Sequence, residues 1–531
     1  MTKIKVKYIP LLFTIIIIIL CISAVNAQEI TSKDINNTEP LIKCDLDSSI
    51  ITDQQSYNLE EKINNAKSND EILINPGVYT IHNTQIDKNI TIKGNGNPNE
   101  VIIDGENKSS IFLIRNPNVQ VTFKNLTFIN GLTDNFGGAI SIETGNVYVD
   151  NCIFINNTAL ENTNAGAISN YGTAEHKSYL FVNNSLFLNN HADHDGGAIT
   201  TCYANSDIYN SVFINNSAVR DGGAIRVSLY GYGNVQDCIF MFNHADEWGG
   251  AYYSWSGESN IERCIFMNNT AGTNGGAVMV SGNINIEDSI IVNNDGGETG
   301  GSFYIQQPMY NAKTTINVHN NIITNNTSPY GKEIFIKWRD SYNLYTQFDD
   351  NDWGDEDPND SSINDPNNVT PRSKVSRTVK SNLFSKLNVD LLDKYKDLLG
   401  DFFTDDSLNN LKNQFKKEDN TNQKKSNPQS KNKNTRININ TLKKNNINGN
   451  HTSDNLKNSI ESNPQTSSTS NSNQILTGNS TSQGEYNKAY ELNKTDKSTI
   501  KQAATSNINY FIATVIIAFI LLSIGYIRNK R

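Results

Sequence analysis

The sequence predicts an all-β domain folded as a right-handed parallel β-helix, because two motifs repeat along it with strand signals between them. A Gly-Gly-Ala motif or a close variant recurs at steps of 25 to 31 residues. An aromatic or aliphatic residue, followed three positions later by Asn, recurs with the same period. Between the motifs apolar and polar residues alternate, which indicates β-strands rather than helices. A fixed period with strand signals alone is typical of a solenoid with one coil per repeat.

The repeat at residues 146–157 shows how strands follow each other within a coil. Val147 and Val149 alternate with polar neighbours, a polar pair at 150–151 interrupts the alternation, and Phe154 continues it on the inward side. Two short strands joined by a polar corner are therefore expected, and the Gly-Gly-Ala motif opens a third. The sequence predicts three strands per coil, with coils stacked about 4.8 Å apart.

Equivalent residues of successive repeats should lie above each other on neighbouring coils. We expect the Phe side chains to stack in the core and the Asn amides to donate to one another, which satisfies polar groups at a buried bend. The Gly pair is expected where a Cβ would collide with the next coil. The predicted Asn ladder comprises Asn157, Asn190, Asn216, Asn243, Asn269, Asn294 and Asn326.

Apolar runs at both ends indicate a secreted and anchored chain. Residues 1–27 combine early lysines, an apolar stretch and small residues before the predicted cleavage site, which is typical of a signal peptide; an uncleaved anchor is the alternative. Residues 510–527 are apolar over the length of one transmembrane helix. The basic residues in 528–531 place the short tail in the cytoplasm. We therefore expect a single-pass protein with its N-terminal domain outside the cell.

The remaining regions differ in composition. They are an N-terminal segment at 28–54, the β-helix at 55–358, a possible short helical region at 359–415 and a disordered Asn/Ser/Lys-rich tether at 416–506. Leu59, Ile63 and Ala66 share one helical face, which is expected to cap the open end of the solenoid.

Charge and cysteine content narrow the function classes. The net charge of −10 argues against nucleic-acid binding. A basic run at 411–450 is a candidate contact with an anionic wall polymer, although it also suits a soluble linker. The cysteines lack the spacing of a zinc site or a disulfide framework, and no cofactor is predicted. Cys238 and Cys264 are expected to stack on adjacent coils as thiols.

The repeat motifs and the segments around them resemble known surface proteins. The "GGAI" and "FxxN" motifs resemble the repeats of bacterial polymorphic outer-membrane proteins. Together with "INNAKSNDEILINPGVYTI", "ITIKGNG", "IIDG" and "NDWGDEDP", they are even more similar to adhesin-like surface proteins of methanogenic archaea. The resemblance covers about residues 55–358. It implies a β-helix, an extracellular setting and a role in adhesion, and the predicted single span favours the archaeal, anchored kind.

Two acidic residues are the main catalytic candidates. Asp195 and Asp221 should lie close together on neighbouring coils, as carboxylates do in glycoside hydrolases or at Ca²⁺ sites. The predicted fold, a pectate-lyase-like solenoid, also hosts polysaccharide lyases and hydrolases. Both residues precede Gly-Gly, however, where Asp is common because it bonds to its own backbone. No Arg or Lys is recognised beside them in the patterns that polysaccharide lyases require. We therefore predict neither catalytic nor metal-binding residues, and a chain that is not an enzyme.

The strand after Gly-Gly-Ala carries the predicted binding residues. Alternation places Arg226, Tyr253, Trp255 and Tyr304 on its outward side, where they should form a flat exposed strip. Removing such surface side chains is expected to change the free energy of unfolding by no more than about 0.5 kcal/mol. The alternative is that strand propensity alone explains these aromatics.

The predicted function is non-catalytic recognition at the cell surface by an adhesin-like protein. Its partner is expected to be a cell-surface glycan or protein of another cell or host. The alternatives are a surface polysaccharide lyase or glycoside hydrolase, and a structural component of the cell envelope.

Overall fold

The computed structural model describes residues 53–308, 314–338, 344–353, 363–364, 383–400 and 402–413. These residues form a parallel β-solenoid of about ten coils, which confirms the predicted all-β, parallel β-helical class. The predicted signal peptide, tether and membrane span lie outside the described residues. Within the described ranges, no helix has the length and apolar character needed to cross a membrane.

A complete coil has four faces, which we number in chain order. In one coil the four strands are Asn146–Asp150, Ile153–Ile155, Thr158–Ala159 and Ile168–Tyr171. The predicted three strands are the first, second and fourth faces. The third face consists of two-residue strands, which are too short to produce a detectable alternation in the sequence.

The strands on each face pair in parallel with their equivalents on neighbouring coils. The first face contains Asp70–Ile74, Ile90–Gly94, Gln120–Lys124, Asn146–Asp150, Tyr179–Asn183, Asn205–Tyr209, Tyr232–Gln236, Thr314–His319 and Leu344–Gln347. The second face contains Gly77–Thr80, Val101–Asp104, Thr127–Ile129, Ile153–Ile155, Leu186–Leu188, Val212–Ile214, Ile239–Met241, Ile265–Met267, Ile290–Val292 and Ile322–Thr324.

The third face contains Leu132–Thr133, Thr158–Ala159, His191–Ala192, Ser217–Ala218, His244–Ala245 and Thr270–Ala271. The fourth face contains Thr84–Ile86, Phe112–Ile114, Ile140–Ile142, Ile168–Tyr171, Ile199–Cys202, Ile225–Ser228, Phe303–Gln306, Ile334–Lys337 and Ile363–Asn364. Two longer strands, Tyr252–Glu262 and Val278–Glu287, run through the fourth and first faces and join them into one 20-stranded sheet.

Phe rings from the second face fill the centre of the solenoid. Neighbouring ring centroids lie 4.6 to 4.8 Å apart, and neighbouring rings are within 7° of parallel. The stacked rings, all fully buried, belong to Phe128, Phe154, Phe187, Phe213, Phe240 and Phe266. The repeat thus places one large apolar side chain in the core of each of these coils.

The Asn column forms a continuous buried ladder beside the Phe stack. From Asn157 to Asn326, each Nδ2 donates to the next Oδ1 at 2.8 to 3.0 Å. At the end of the ladder, Nδ2 of Asn326 donates to Oε2 of Glu333 at 2.6 Å. Every amide also donates to a carbonyl of the preceding coil, as Asn190 does to Phe154. The ladder therefore provides hydrogen-bond partners both for its own side-chain amides and for the backbone at the corner.

Asn and Gly turn the chain at the corners for different reasons. The corner between the first and second faces has a residue at positive φ, such as Asn184 at 52°, and Asn tolerates this region better than most residues. At Gly223 a Cβ would lie 2.1 Å from the carbonyl oxygen of Gly250 on the next coil. The prediction that Gly is required for close approach of the coils is confirmed at this position.

A helix covers the N-terminal end of the solenoid. It spans Asp53–Asn65, and it ends just before the first strand. Leu59 and Ile63 are at most 2% exposed and pack on the core together with Ala66. The predicted helical cap is therefore confirmed.

A C-terminal segment covers the outer side of the second face. It contains a helix at Leu383–Lys386, a 3₁₀-helix at Val389–Leu398 and a helical stretch at 405–413. Its buried apolar side chains, including Leu392, pack on the outward column of the sheet. Residues 383–400 and 402–413, named the clasp below, explain why the second face is apolar on both sides.

The four cysteines in the described residues are buried free thiols. Cys238 and Cys264 lie next to strands that pair directly, Ile239–Met241 and Ile265–Met267, so they occupy adjacent coils as predicted. Burial raises the pKa of Cys238, and its contact with Cys264 raises it further. Burial thus holds the Cys238 thiol in its neutral form.

Candidate functional site

The predicted binding residues lie on the outward side of the fourth face. Strand pairing places Arg226 beside Tyr253, Tyr253 beside Met279, and Met279 beside Tyr304. Trp255 lies two residues after Tyr253 on the same strand and therefore points to the same side. The pairing of equivalent residues on neighbouring coils that the repeats predict is thus the pairing in the structure.

The expected flat, exposed strip is wrong for three of the four residues, since the Arg226 side chain is only 13% exposed. Tyr253 is 1% exposed and Tyr304 is 3% exposed. The turn before each Gly-Gly-Ala motif folds back over the outward column and buries it. Gly222 makes this possible: its φ is +68°, and a Cβ there would lie 3.1 Å from Cβ of Tyr253. Alternation identifies the outward side of a strand, but it does not reveal that a turn covers that side.

Tyr304 lies two coils away from Tyr253 and packs with Tyr253 and Met279 in one buried cluster. Its ring stacks on Phe335 with centroids 5.7 Å apart and an angle of 9° between the planes. Burial raises the pKa of Tyr304 to about 12, so its hydroxyl stays protonated at neutral pH. Tyr304 therefore belongs to a packed aromatic cluster, and Arg226, Tyr253 and Trp255 remain as the candidate site.

These three residues line a cleft of about 390 Å³ between the turns and the fourth face. The turns contribute Arg220, Asp221, Glu247 and Trp248, and Leu229 forms part of the edge. Trp248 and Trp255 are partly exposed, their rings are within 9° of parallel, and their centroids are 6.2 Å apart. The cleft thus combines two nearly parallel indole rings with charged groups of both signs.

Trp248 is the principal site residue that the sequence analysis missed. It occupies the turn position that Asp195 and Asp221 occupy on the preceding coils, as the bridges between these positions show. The Asn274 amide, oriented with its oxygen toward the indole, accepts from Nε1 of Trp248 at 2.7 Å. A Trp in a column of Asp and Asn is a departure from the repeat, and this departure was the available signal.

The paired carboxylates have basic neighbours, contrary to the sequence interpretation. Nη2 of Arg220 lies 2.7 Å from Oδ2 of Asp195, and Nε of Arg226 lies 3.0 Å from the same oxygen. Nε of Arg220 also lies 3.1 Å from Oδ2 of Asp221, and Nδ1 of His194 lies 3.1 Å from Asp195. Arg220 immediately precedes Asp221 in sequence, whereas Arg226 comes from the fourth-face strand. These partners of the two acids were not recognised in the sequence analysis.

The two carboxylates titrate in opposite directions. Burial raises the pKa of Asp195, but Arg226, His194 and Arg220 outweigh this effect and lower it overall. Burial and the neighbouring charge of Asp195 raise the pKa of Asp221 to about 7, although both arginines oppose the shift. Asp195 is therefore an ionised anchor for the guanidinium groups, and Asp221 changes protonation near neutral pH.

Neither carboxylate is arranged to hold Ca²⁺, the alternative that the sequence left open. Oδ1 and Oδ2 of Asp195 both accept hydrogen bonds from Arg220. A second guanidinium, that of Arg226, lies beside them and is almost fully buried. Two cations at this distance exclude a divalent ion by charge repulsion.

The histidine column has a structural arrangement. Nδ1 of His191 lies 2.8 Å from Oγ of Ser217, and Nδ1 of His244 lies 2.7 Å from Oγ1 of Thr270.

Elsewhere, the ligand atoms of His319, Asp349 and Asp350 lie within 4.8 Å of one another. Nδ1 of His319 already hydrogen-bonds to Oδ1 of Asp349 at 3.0 Å, so the grouping is accounted for as an ion pair at a first-face corner.

Comparisons with known proteins identify the repeats. The Chlamydia polymorphic membrane protein (Chlamydia_PMP) repeat family matches residues 184–201, 210–228 and 263–281. No curated protein sequence matches the chain. The similar solved structures include a PL6 alginate lyase in complex with a trisaccharide and the alginate lyase AlyF-OU02 with G6. Both are 12% identical and cover 64% of this chain and 91% of theirs, with TM-scores of 0.30 and 0.29.

A mutant of the PL6-family alginate lyase AlyGC is 13% identical and has a TM-score of 0.27. It covers 60% of this chain and 53% of its own. At these values the structural similarities carry no inference about activity. The chain is thus a parallel β-solenoid that contains Chlamydia-type polymorphic membrane protein repeats.

Proposed function

We propose that this chain is an adhesin-like recognition protein of the cell surface that binds a glycan in the cleft of the fourth face. The observation that carries the proposal is the combination of Trp248 and Trp255 with Arg220, Asp221 and Glu247 in one open cavity. The repeat matches support a surface role. The predicted signal peptide and single membrane span complete the proposed topology, with the solenoid outside and a short cytoplasmic tail.

The aromatic geometry suits a sugar ring. Two nearly parallel indoles form an apolar surface against which the C–H face of a pyranose can pack, and large aromatic side chains give contact area at a small entropic cost. Leu229 extends this surface at the edge of the cleft and is 37% exposed. Together they provide the apolar part of a glycan site.

The polar groups of the cleft are held in place before a ligand arrives. Arg220 and Arg226 are fixed by the buried Asp195, so little side-chain entropy remains to be lost on binding. Their guanidinium groups border the same cavity as the indoles. Preorganised donors beside an aromatic surface favour recognition of a polyhydroxylated ligand over a purely apolar one.

A binding comparison between two aromatic variants tests this function. The full-length chain is screened on a glycan array, together with Trp255→Ala and the control Tyr330→Ala. Tyr330 is 61% exposed and does not line the cleft. We expect Trp255→Ala to lose at least tenfold in affinity and Tyr330→Ala to bind like the parent. If no glycan binds, or if both variants bind equally, the cleft is not a glycan site, and a structural role in the envelope becomes the better assignment.

Glycan cleavage is the second candidate function, because the pKa values of Asp195 and Asp221 are displaced in opposite directions. Such a separation is typical of acid–base pairs in catalysis. Asp195 is poorly suited to activate water, since it is fully buried and both its oxygens accept from Arg220. Release of reducing or unsaturated ends from a bound glycan, abolished by Asp221→Asn, would establish cleavage.

A further inference from the structure

The floor of the cleft contains polar atoms whose hydrogen bonding is incomplete. Asp221 is 1% exposed; its Oδ2 accepts from Arg220, while its Oδ1 is buried with no partner among the described residues. Nε of Arg226 is likewise buried; it lies 3.0 Å from Oδ2 of Asp195 but has no hydrogen-bond acceptor among the described residues. A buried polar atom without a partner destabilises the free protein, so a ligand that supplies partners has an energetic advantage.

The charges in the cleft are balanced. The positive charges of Arg220 and Arg226 are offset by the negative charges of the buried Asp195 and of Glu247 at the exposed edge. Asp221 is the fifth ionisable group of the cleft. The formal charge of these five groups is therefore zero with Asp221 protonated and negative with it ionised. An anionic sugar needs an uncompensated cation, whereas Asp195 and Glu247 together offset the charges of both guanidinium groups.

We infer that the cleft selects neutral sugars, with one ring hydroxyl donating to Oδ1 of Asp221 and a neighbouring one accepting from Arg226. The inference rests on the proposed glycan-binding function and specifies its ligand class. A vicinal diol can offer a donor and an acceptor side by side, which is what the unpaired carboxylate and guanidinium require. A carboxylate or sulfate group at this place meets Asp221 and Glu247 without a free cation to offset them.

Paired inhibitors test the ligand class on the full-length chain. Methyl glucoside, mannoside and galactoside are compared with the corresponding methyl uronosides as competitors of array binding. Each pair differs only in whether the exocyclic carbon is a hydroxymethyl or a carboxylate group. We expect the neutral member of the pair matching the bound glycan to compete at least tenfold better. Equal or better competition by the uronoside overturns the inference, while loss of binding in Trp255→Ala still supports the proposed function.

The pH dependence of affinity tests the contact with Asp221 separately. The charged or titratable groups around it are Asp195, His194, Arg220, Arg226, Glu247 and Tyr253. An ionised carboxylate accepts more strongly than a neutral one, so affinity for the neutral sugar should rise severalfold as the pH increases through about 7. Asp221→Asn should remove this rise while retaining binding. A rise of the same size in Asp221→Asn, or no rise in the parent, refutes the hydroxyl contact.

Discussion

The Asn ladder allows a quantitative test of how the coils are held together. Asn216 lies in the middle of the ladder and is fully buried. Its Nδ2 donates to Oδ1 of Asn243 and to the carbonyl of Phe187, both at 3.0 Å. Its Oδ1 accepts from the backbone N–H of Asn190 at 3.0 Å and from the amide of Asn190 at 2.9 Å. One side chain thus takes part in four buried hydrogen bonds.

Replacing Asn216 with Ala removes all four hydrogen bonds and leaves one buried backbone donor without an acceptor. The backbone N–H of Asn190 loses its acceptor, and an unsatisfied buried donor costs about 1–3 kcal/mol. The other three bonds contribute about 1 kcal/mol each. We therefore expect Asn216→Ala to lower the free energy of unfolding by about 4–6 kcal/mol.

The neighbouring Asn215 provides a matched control. It has a positive φ of 53°, and its Nδ2 donates to Oδ1 of Asn189 at 2.8 Å in a partly exposed position. Asn215→Gly preserves the backbone conformation and removes a partly exposed amide, so it should cost about 1 kcal/mol or less. Urea unfolding of the full-length chain, followed by circular dichroism, compares the two variants. Equal losses of unfolding free energy in the two variants would show that a buried ladder amide contributes no more to stability than the partly exposed amide of Asn215.

Three further predictions concern the cleft and the clasp. Because the pKa of Asp221 is raised from 3.8 to about 7, the folded state binds more protons than the unfolded state over this interval. The free energy of unfolding of the parent should therefore fall as the pH rises from about 4 to about 7, and that of Asp221→Asn should lack this fall. Urea titrations at several pH values measure the difference. Tyr253→Ala should lower the free energy of unfolding by about 3–5 kcal/mol, and Tyr253→Phe by less than about 1 kcal/mol, because the ring is buried. In the clasp, Leu392→Asp places a charge at a buried apolar contact and should increase the binding of a hydrophobic dye, whereas Asp397→Asn should not.

The fold was predictable because it depends on features that repeat. The inward column, the Phe stack and the polar corners each recur in the sequence, and a recurring side chain identifies a recurring position. The third face escaped detection because strands such as His191–Ala192 contain only two residues. The clasp was only partly predicted, since its periodicity indicates helices but does not identify the surface on which they pack.

The candidate site was harder to predict because it is built from departures from the repeat. Thr200, Arg226 and Tyr253 are equivalent positions on successive coils, and so are Asp221 and Trp248. Alternation gave the correct side of the strand for Arg226 and Tyr253. It gave no information about the preceding turn, which brings Arg220 against Asp195 and covers the outward column.

Burial of the outward column changes the kind of recognition that the surface can perform. On an exposed strip, aromatic side chains contribute to binding without contributing to stability. Here Tyr253 is packed beneath the turn that contains Asp221, and its ring lies 6.2 Å from those of Trp248 and Trp255. The same side chain therefore supports the floor of the cleft and the indole surface above it. Loss of binding in a Tyr253→Ala variant would consequently report collapse of the site, whereas Trp255→Ala removes the contact surface and leaves the buried ring in place.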